Sequence, residues 1–250
     1  MRSYFLIIGG LFSLFFASLS HANEAREIVA NAMDRWRGNS STGEMRMTIH
    51  RPDWERSISL KTWTSGLDQS LILVTAPAKD KGNATLLVEQ QLWSYSPKIN
   101  RVIKIPSSMM NQSWLGSDFS NRDITKSTSI LDQYNFTLIS DEAMAEHRVY
   151  TIQAIPHPSA PVVWGKEVLT IRDDFVTLKQ VYFDQAMNVV KTLETLAIAT
   201  FDGRPVASHM RVTDVDTPEQ WTDMEVLASD FDVVLPADMF TLTHLRSMAR

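Results

Sequence analysis

The fold is decided by residues 43–60, which read GEMRMTIHRPDWERSISL. In their first half, Met45, Met47 and Ile49 alternate with polar residues. This period of two is typical of a strand that buries one face. Pro52 then marks a turn, and the same alternation resumes after it. The stretch therefore predicts two consecutive strands of an antiparallel sheet.

Strand patterns of the same kind continue to the end of the chain. After the Pro52 turn, Ile58 and Leu60 belong to the second strand, and a third strand is predicted at 71–75. The Asp202-Gly203 dipeptide is a strong hairpin signal. Because no helical pattern separates most strands, we expect a mainly β fold with an antiparallel meander, in one domain over residues 23–250. Ten further strands are predicted at 84–88, 92–95, 101–105, 134–139, 148–154, 166–171, 176–183, 189–199, 206–215 and 221–228.

One helix is predicted ahead of the strands. Between Glu24 and Trp36, apolar residues recur at intervals of three and four, the spacing of an amphipathic helix. Gly38 follows this pattern and is expected to end the helix.

The N-terminal stretch, residues 1–22, has the organisation of a secretory signal peptide. Arg2 precedes an apolar run, Leu6–Phe16, that is shorter than the about 20 residues needed to span a bilayer. Ser20 and Ala22 are small residues at the two positions that a signal peptidase reads. We expect cleavage after Ala22 and a periplasmic protein; the alternative is an uncleaved membrane anchor.

The composition argues against two classes of partner. Without residues 1–22 the chain keeps 23 Lys and Arg against 29 Asp and Glu, a net charge of −6. This acidic excess argues against nucleic acid or an anionic membrane as the main partner. The chain contains no cysteine, so neither a disulfide nor the acylated cysteine of a lipoprotein is expected. Stability must come from a packed core.

The sequence predicts no catalytic centre, metal site or cofactor. Its six His residues lack the three- or four-residue pairing of metal ligands. It contains no Gly-x-Ser-x-Gly motif and no phosphate-binding glycine loop. The adjacent carboxylates at 141–142 and 173–174 fall where turns are expected, which favours a solvated surface over acid/base chemistry. An enzyme acting on lipid or glycan through scattered residues is the third reading of the chain.

The segment Pro106–Gln133 interrupts the strand pattern. Loops of this length inside a compact domain usually cover or bind something, and its methionines, Trp and Leu would supply adaptable apolar surface. Two interpretations stay open: the segment completes the core, or it forms a lid over a ligand.

Several short motifs resemble the outer-membrane lipoprotein-sorting protein family of diderm bacteria, relatives of the periplasmic lipoprotein carrier LolA and its receptor LolB. The resemblance extends over essentially the whole chain after residue 22. The motifs are Trp93-Ser94-Tyr95-Ser96-Pro97, Arg101, Met109-Met110, Gly116-Ser117-Asp118-Phe119-Ser120 and Asp123.

The resemblance implies a strongly curved antiparallel sheet that forms an unclosed barrel, covered by helices, around an apolar cavity that shields acyl chains. We expect the first helix on the concave face. The implied function is a periplasmic carrier of lipoprotein or lipid acyl chains, supplied by an inner-membrane transporter of the ABC or RND type and emptied by an outer-membrane acceptor. The alternative is a non-catalytic accessory protein whose barrel is filled by its own side chains and whose surface docks on an inner-membrane permease.

Two groups of site residues follow. Asp118 and Asp123 are predicted to anchor the lid through backbone N–H groups or through a nearby Arg, such as Arg101 or Arg122. For Trp93 and Tyr95, which share one face of their strand, the alternative is a place in the ordinary core. The predicted ligand contacts in the cavity or lid are Trp93, Tyr95, Met109, Met110, Trp114, Leu115 and Phe119.

Overall fold

The computed structural model describes residues 12–125 and 130–248, with side chains described from residue 23 onward. Its centre is one sheet of 13 strands, each antiparallel to its neighbours. The strands are β1 (Ser40–Arg51), β2 (Trp54–Ser65), β3 (Gln69–Ala76), β4 (Ala84–Val88), β5 (Gln91–Ser96), β6 (Arg101–Lys104), β7 (Tyr134–Met144), β8 (His147–Pro156), β9 (Lys166–Arg172), β10 (Thr177–Phe183), β11 (Val189–Phe201), β12 (Arg204–Asp214) and β13 (Trp221–Phe231).

The strand order makes the barrel an open one. The sheet runs β6-β5-β4-β3-β2-β1-β13-β12-β11-β10-β9-β8-β7. Almost every strand therefore pairs with its neighbour in sequence, and the exception is β1 with β13, where Ser41 lies opposite Phe231 and His50 opposite Trp221. Strands β6 and β7 are left as the two edges of the sheet. The predicted mainly β fold with a curved, unclosed antiparallel barrel is confirmed.

Helix α1 spans Phe12–Arg37 and contains the predicted helix between 24 and 36. It ends where the sequence indicates: Gly38 has a φ of 61°, and its N–H donates to the carbonyl of Asp34 at 2.7 Å.

The predicted signal peptide, 1–22, lies outside the residues whose side chains the structure describes. Within residues 12–125 and 130–248, no helix is long and apolar enough to cross a membrane.

Helix α1 packs on one face of the sheet, here called the inner face. Its Ile28 and Val29 belong to a buried cluster with Phe136, Ile152 and Leu169 of β7, β8 and β9. Cross-strand pairing continues from Leu169 through β10, β11 and β12 to β13 and β1, so this face extends over the whole centre of the sheet. The expected position of the first helix on the concave face is confirmed.

The opposite, outer face of β2–β5 is covered by the C-terminal segment. After β13 the chain crosses back over these strands and ends in helix α4 (Leu242–Met248). Met239 and Leu245 are buried against Trp63 and Leu71, in a cluster separate from those of the inner face. This cover was not predicted from the sequence.

The crossing segment, residues 105–133, connects edge strand β6 to edge strand β7 and contains helices α2 (Asn121–Thr125) and α3 (Ile130–Gln133). A short 3-10 helix lies at Ser107–Met109. The segment thus leads from one edge of the sheet to the other, and it lies on the inner face. Its Trp114 is buried there against residues of β1 and β2.

Candidate ligand-binding cavity

A cavity of about 310 Å³ lies on the inner face, between the sheet, helix α1 and the crossing segment. This volume is at the lower end of the roughly 300–1,000 Å³ typical of ligand pockets. The cavity is partly open to solvent, and most of its exposed wall is apolar. The apolar wall includes Met45, Leu60, Ile72, Trp114, Phe119 and Met224.

The cavity has a polar end near the C-terminus of α1. Here Ser41 and Thr64 lie opposite each other on β1 and β2, and their hydroxyl oxygens are 2.6 Å apart. Arg37 is buried and donates to the carbonyls of Gly66 at 2.8 Å and Gln69 at 2.6 Å, which fixes α1 to the β2–β3 turn. Burial lowers the pKa of Arg37 to about 10, and the charge of Asp68 opposes this effect.

Asp118 attaches the middle of the crossing segment to the centre of the sheet. Its carboxylate accepts two hydrogen bonds from Arg51 of β1, at 2.8 and 3.1 Å. It also accepts from the hydroxyl of the buried Thr222 of β13 at 2.7 Å, and the Asp118 N–H lies 3.1 Å from the same oxygen. Asp118 thus bonds an arginine, one of the two kinds of partner predicted for it, and this arginine is Arg51 and neither of the two named as examples.

Asp123 attaches the segment at a second point. It accepts hydrogen bonds from the N–H of Ser120 at 2.8 Å and from Nζ of Lys191 at 2.7 Å. Both side chains of this ion pair are largely buried, and the Lys191 ammonium also lies 5.4 Å from the centre of the Tyr182 ring. The predicted hydrogen bond to a backbone N–H is therefore correct.

The described bonds of the two anchoring carboxylates are to other residues than the two predicted arginines. Arg101 is exposed at the beginning of β6. The Nε of Arg122 donates instead to Asn111 at 3.1 Å. The observed partners, Arg51 and Lys191, are 67 and 68 positions distant in sequence from the carboxylates that they bind.

A buried polar network lies beside the second anchor. Glu167 is fully buried and accepts hydrogen bonds from the Tyr134 hydroxyl at 2.6 Å and from the side-chain amide of Gln180. Burial, reinforced by the negative charge of Glu167, raises the pKa of Tyr134 far above its usual range. Burial also raises the pKa of Tyr182. The phenol of Tyr134 therefore stays protonated and donates to Glu167.

The residues predicted in the lid occupy three different environments. Trp114 and Phe119 line the cavity, and the Trp114 indole N–H donates to Thr85 at 3.1 Å. Leu115 packs on the same core cluster without lining the cavity. Met110 lines a second, more polar cavity on the other side of Asp123, and Met109 is 36% exposed. The segment thus completes the core and covers the cavity at once.

Trp93 and Tyr95 do not line the cavity, which corrects the prediction for both. Register places Trp93 opposite Leu86, and Leu86 opposite Leu71, on the outer face. Tyr95 is buried there, in the cluster covered by the C-terminal segment, and Trp93 packs against it. The alternative interpretation, ordinary core, is the correct one. Alternation indicates that two residues share a face, but it does not indicate which face.

Several cavity residues were not predicted from the sequence, among them Arg35, Ile72 and Met224. Each lies in a predicted helix or strand, but the selection of one face of β3 and β13 depends on the pairing of β1 with β13. Arg35 carried a weak signal, since it is a charged residue next to the apolar stripe of α1. Within residues 12–125 and 130–248, no group of three or more His, Asp and Glu side chains could hold a metal ion.

Comparison with known proteins identifies the family of the chain. A family model described as "Uncharacterized protein" matches residues 66–247. The chain belongs to this family. No curated protein is significantly similar to it in sequence.

Solved structures with the same fold include three bacterial proteins. A DUF1329 family protein from Desulfovibrio piger is 23% identical with a TM-score of 0.81, covering 90% of this chain and 99% of its own. A domain described as an outer membrane lipoprotein-sorting protein from Vibrio parahaemolyticus is 21% identical, with a TM-score of 0.78 and coverages of 90% and 99%. A LolA superfamily protein from Nitrosomonas europaea is 18% identical, with a TM-score of 0.72 and coverages of 88% and 98%. The predicted resemblance to the lipoprotein-sorting proteins is confirmed in the fold.

Proposed function

We propose that the protein is a non-catalytic periplasmic carrier that holds an acyl chain of a lipoprotein or another lipid in the inner cavity and transfers it between the inner and outer membranes. The observation that supports this most directly is the apolar cavity under the crossing segment. Burying an acyl chain contributes about 0.8 kcal/mol per CH₂. Ten buried methylene groups would supply about 8 kcal/mol, which corresponds to micromolar affinity.

The fold supports the same function. A barrel of 13 strands that stays open leaves room for a guest on its inner face, because only small closed barrels are filled completely by their own side chains. Two of the structures with this fold are described as an outer membrane lipoprotein-sorting protein and a LolA superfamily protein. The partners that we propose are an inner-membrane transporter of the ABC or RND type, which loads the carrier, and an outer-membrane acceptor, which unloads it.

Unloading requires that the cover can open. The crossing segment is attached to the sheet by Asp118, through Arg51 and Thr222, and by Asp123, through Lys191. Opening would exchange these polar groups for water or for a partner's groups. It would also uncover the apolar side chains of the segment that pack on the sheet, Trp114 among them. We propose that the segment swings away from β1 and β13 during transfer.

Binding of a fluorescent fatty-acid probe tests the proposal. Ile72 is half-buried in the cavity wall, and Ile72→Trp should fill the cavity and weaken probe binding at least tenfold. The control is Ile155→Trp on β8, at a position 40% exposed, which should bind like the wild type. Equal probe affinity in all three proteins would contradict the proposal. A wild type that binds no probe would favour the accessory protein that docks on a permease without carrying lipid.

A further inference from the structure

The lining of the cavity changes from polar to apolar along strand β1. Ser41 lies at the polar end, Met45 follows on the same face, and Met47 belongs to the core cluster under Trp114. From Ser41 to Met47 a strand advances about 20 Å. Ser70 and Ser229 line the cavity with Ser41. An amphiphile would therefore bind with its chain toward Trp114 and its head group toward these hydroxyls.

The charged side chains that line the cavity are mostly paired. Lys191 binds Asp123, and Lys179 lies 2.5 Å from the carboxylate of Glu194. The remaining cation besides Arg37, which is bound to two carbonyls, is Arg35 in the last turn of α1. Among the described residues, the Nε of Arg35 is buried and has no hydrogen-bond partner.

An unpaired buried guanidinium N–H is unfavourable, because the group loses water without gaining an acceptor. The position of Arg35 near the C-terminus of α1 suits the helix dipole, but that interaction requires only a charge and does not require that the half-buried residue line a cavity. A carboxylate or phosphate group of a guest in the cavity would pair the Arg35 guanidinium, which binds both groups in a charge-assisted, bidentate manner.

We infer that Arg35 binds the head group of the cargo and that the cargo is an anionic amphiphile with a carboxylate or phosphate beside its acyl chain. This inference rests on the proposed carrier function and names the class of its ligand. The acyl chain supplies most of the affinity, and Arg35 supplies the discrimination between anionic and neutral heads. The carrier would then hold the cargo in one orientation, with the head group at the polar end of the cavity, near the C-terminus of α1.

Three ligands of equal chain length test the inference: hexadecanol, hexadecanoate and hexadecyl phosphate, each used to displace the fluorescent fatty-acid probe. For the wild type we expect both anions to displace it at about tenfold lower concentration than hexadecanol. The relative affinities of the two anions show whether a fatty acid or a phosphate-bearing lipid suits the site. Arg35→Gln should bring all three within about twofold of one another, whereas Arg35→Lys should keep most of the preference.

The matched control is Arg46→Gln, because Arg46 lies on the outer face and its side chain is 48% exposed. It should retain the wild-type preference. Equal binding of hexadecanol and the anions by the wild type would overturn the inference and leave the carrier proposal intact. An Arg35→Gln protein that keeps the preference would overturn the role of Arg35. Failure of all three ligands to bind would overturn the carrier proposal and this inference with it. The wild-type comparison does not depend on whether a variant folds.

Discussion

At the scale of single residues, the least expected feature is a fully buried carboxylate in a cavity-bearing protein. Glu167 is held between Tyr134 of β7 and Gln180 of β10, on opposite sides of β9. A buried charge is tolerated only when hydrogen bonds replace its lost water. The network therefore ties one edge of the open sheet to its centre.

Tyr134→Phe should reveal the contribution of this network to stability. The substitution leaves the ring but removes one donor to Glu167, so we expect the free energy of unfolding at neutral pH to fall by about 1.5–3 kcal/mol. Chemical denaturation measures the change. Tyr150→Phe, at a half-buried tyrosine of the neighbouring strand, is the control and should cost less than about 1 kcal/mol. A smaller loss for Tyr134→Phe than for the control would contradict the network.

The same tyrosine predicts how stability depends on pH. Since burial raises the pKa of Tyr134 only in the folded chain, the unfolded chain releases the phenolic proton first, above about pH 10. The Tyr134 contribution is complete below that pH and declines above it by about 1.4 kcal/mol per pH unit. Denaturation between pH 8 and 11 should therefore show a shallower decline for Tyr134→Phe than for the wild type. Parallel curves would show that the Tyr134 phenol does not determine the loss of stability at alkaline pH.

At the scale of elements, the crossing segment is the part whose attachments decide the function. A double-mutant cycle on Arg51→Gln and Asp118→Asn should give a coupling free energy of about 1–2 kcal/mol, because both side chains are at most about one fifth exposed, 16% and 19%. The exposed pair Arg46 and Glu225, at 3.6 Å, is the comparison and should couple by less than about 0.5 kcal/mol. Coupling no larger than in the exposed pair would mean that Asp118 does not hold the segment.

The apolar residues of the segment make a second prediction. Phe119→Asp places a charge in the cavity wall, so it should weaken binding of the fatty-acid probe at least tenfold while the far-UV spectrum of the sheet is kept. Met109→Asp, on the exposed side of the same segment, should bind the probe like the wild type. Loss of the folded spectrum in Phe119→Asp would indicate that the segment acts as core rather than as cover, and unchanged affinity in a folded variant would remove it from the binding site.

The sequence predicts the elements much better than it predicts their contacts. Each of the 13 strands of the sheet overlaps a stretch that the sequence predicts as a strand, because local periodicity and turn residues determine most of these strands. The sequence also indicates the end of α1 at Gly38 and the end of β5 before Pro97. Arg51 as partner of Asp118 was not, since 67 positions separate them and only the assembled sheet brings them together.

The wrong assignment of Trp93 and Tyr95 has a similar cause. Both sides of β5 carry a buried residue, Leu92 on one side and Tyr95 on the side covered by the C-terminal segment, so alternation could not distinguish the cavity side. A signal was available in the C-terminal stretch itself, where apolar residues recur around Met239 and Leu245 after Pro236. Such an amphipathic end must bury its apolar side on some surface, and the outer face of β2–β5 is that surface.

At the scale of the whole molecule, the pairing of β1 with β13 explains why the barrel stays open. It joins two meanders at the centre of the sheet and leaves β6 and β7, which are consecutive in sequence, as the two edges. The connection between them therefore has to run from one edge to the other, and because it does so over the inner face it covers the cavity. One topological feature thus produces the opening, the cavity and the cover.

The central claim is that the cavity carries an acyl chain, and native mass spectrometry of the protein purified from the periplasm of an expressing bacterium, followed by lipid extraction, tests it most directly. The carrier account predicts one bound amphiphile per chain in the wild type and in Ile155→Trp, and none in Ile72→Trp, whose new side chain occupies the cavity. Wild-type protein without any bound amphiphile, or Ile72→Trp loaded as fully as the wild type, would contradict it.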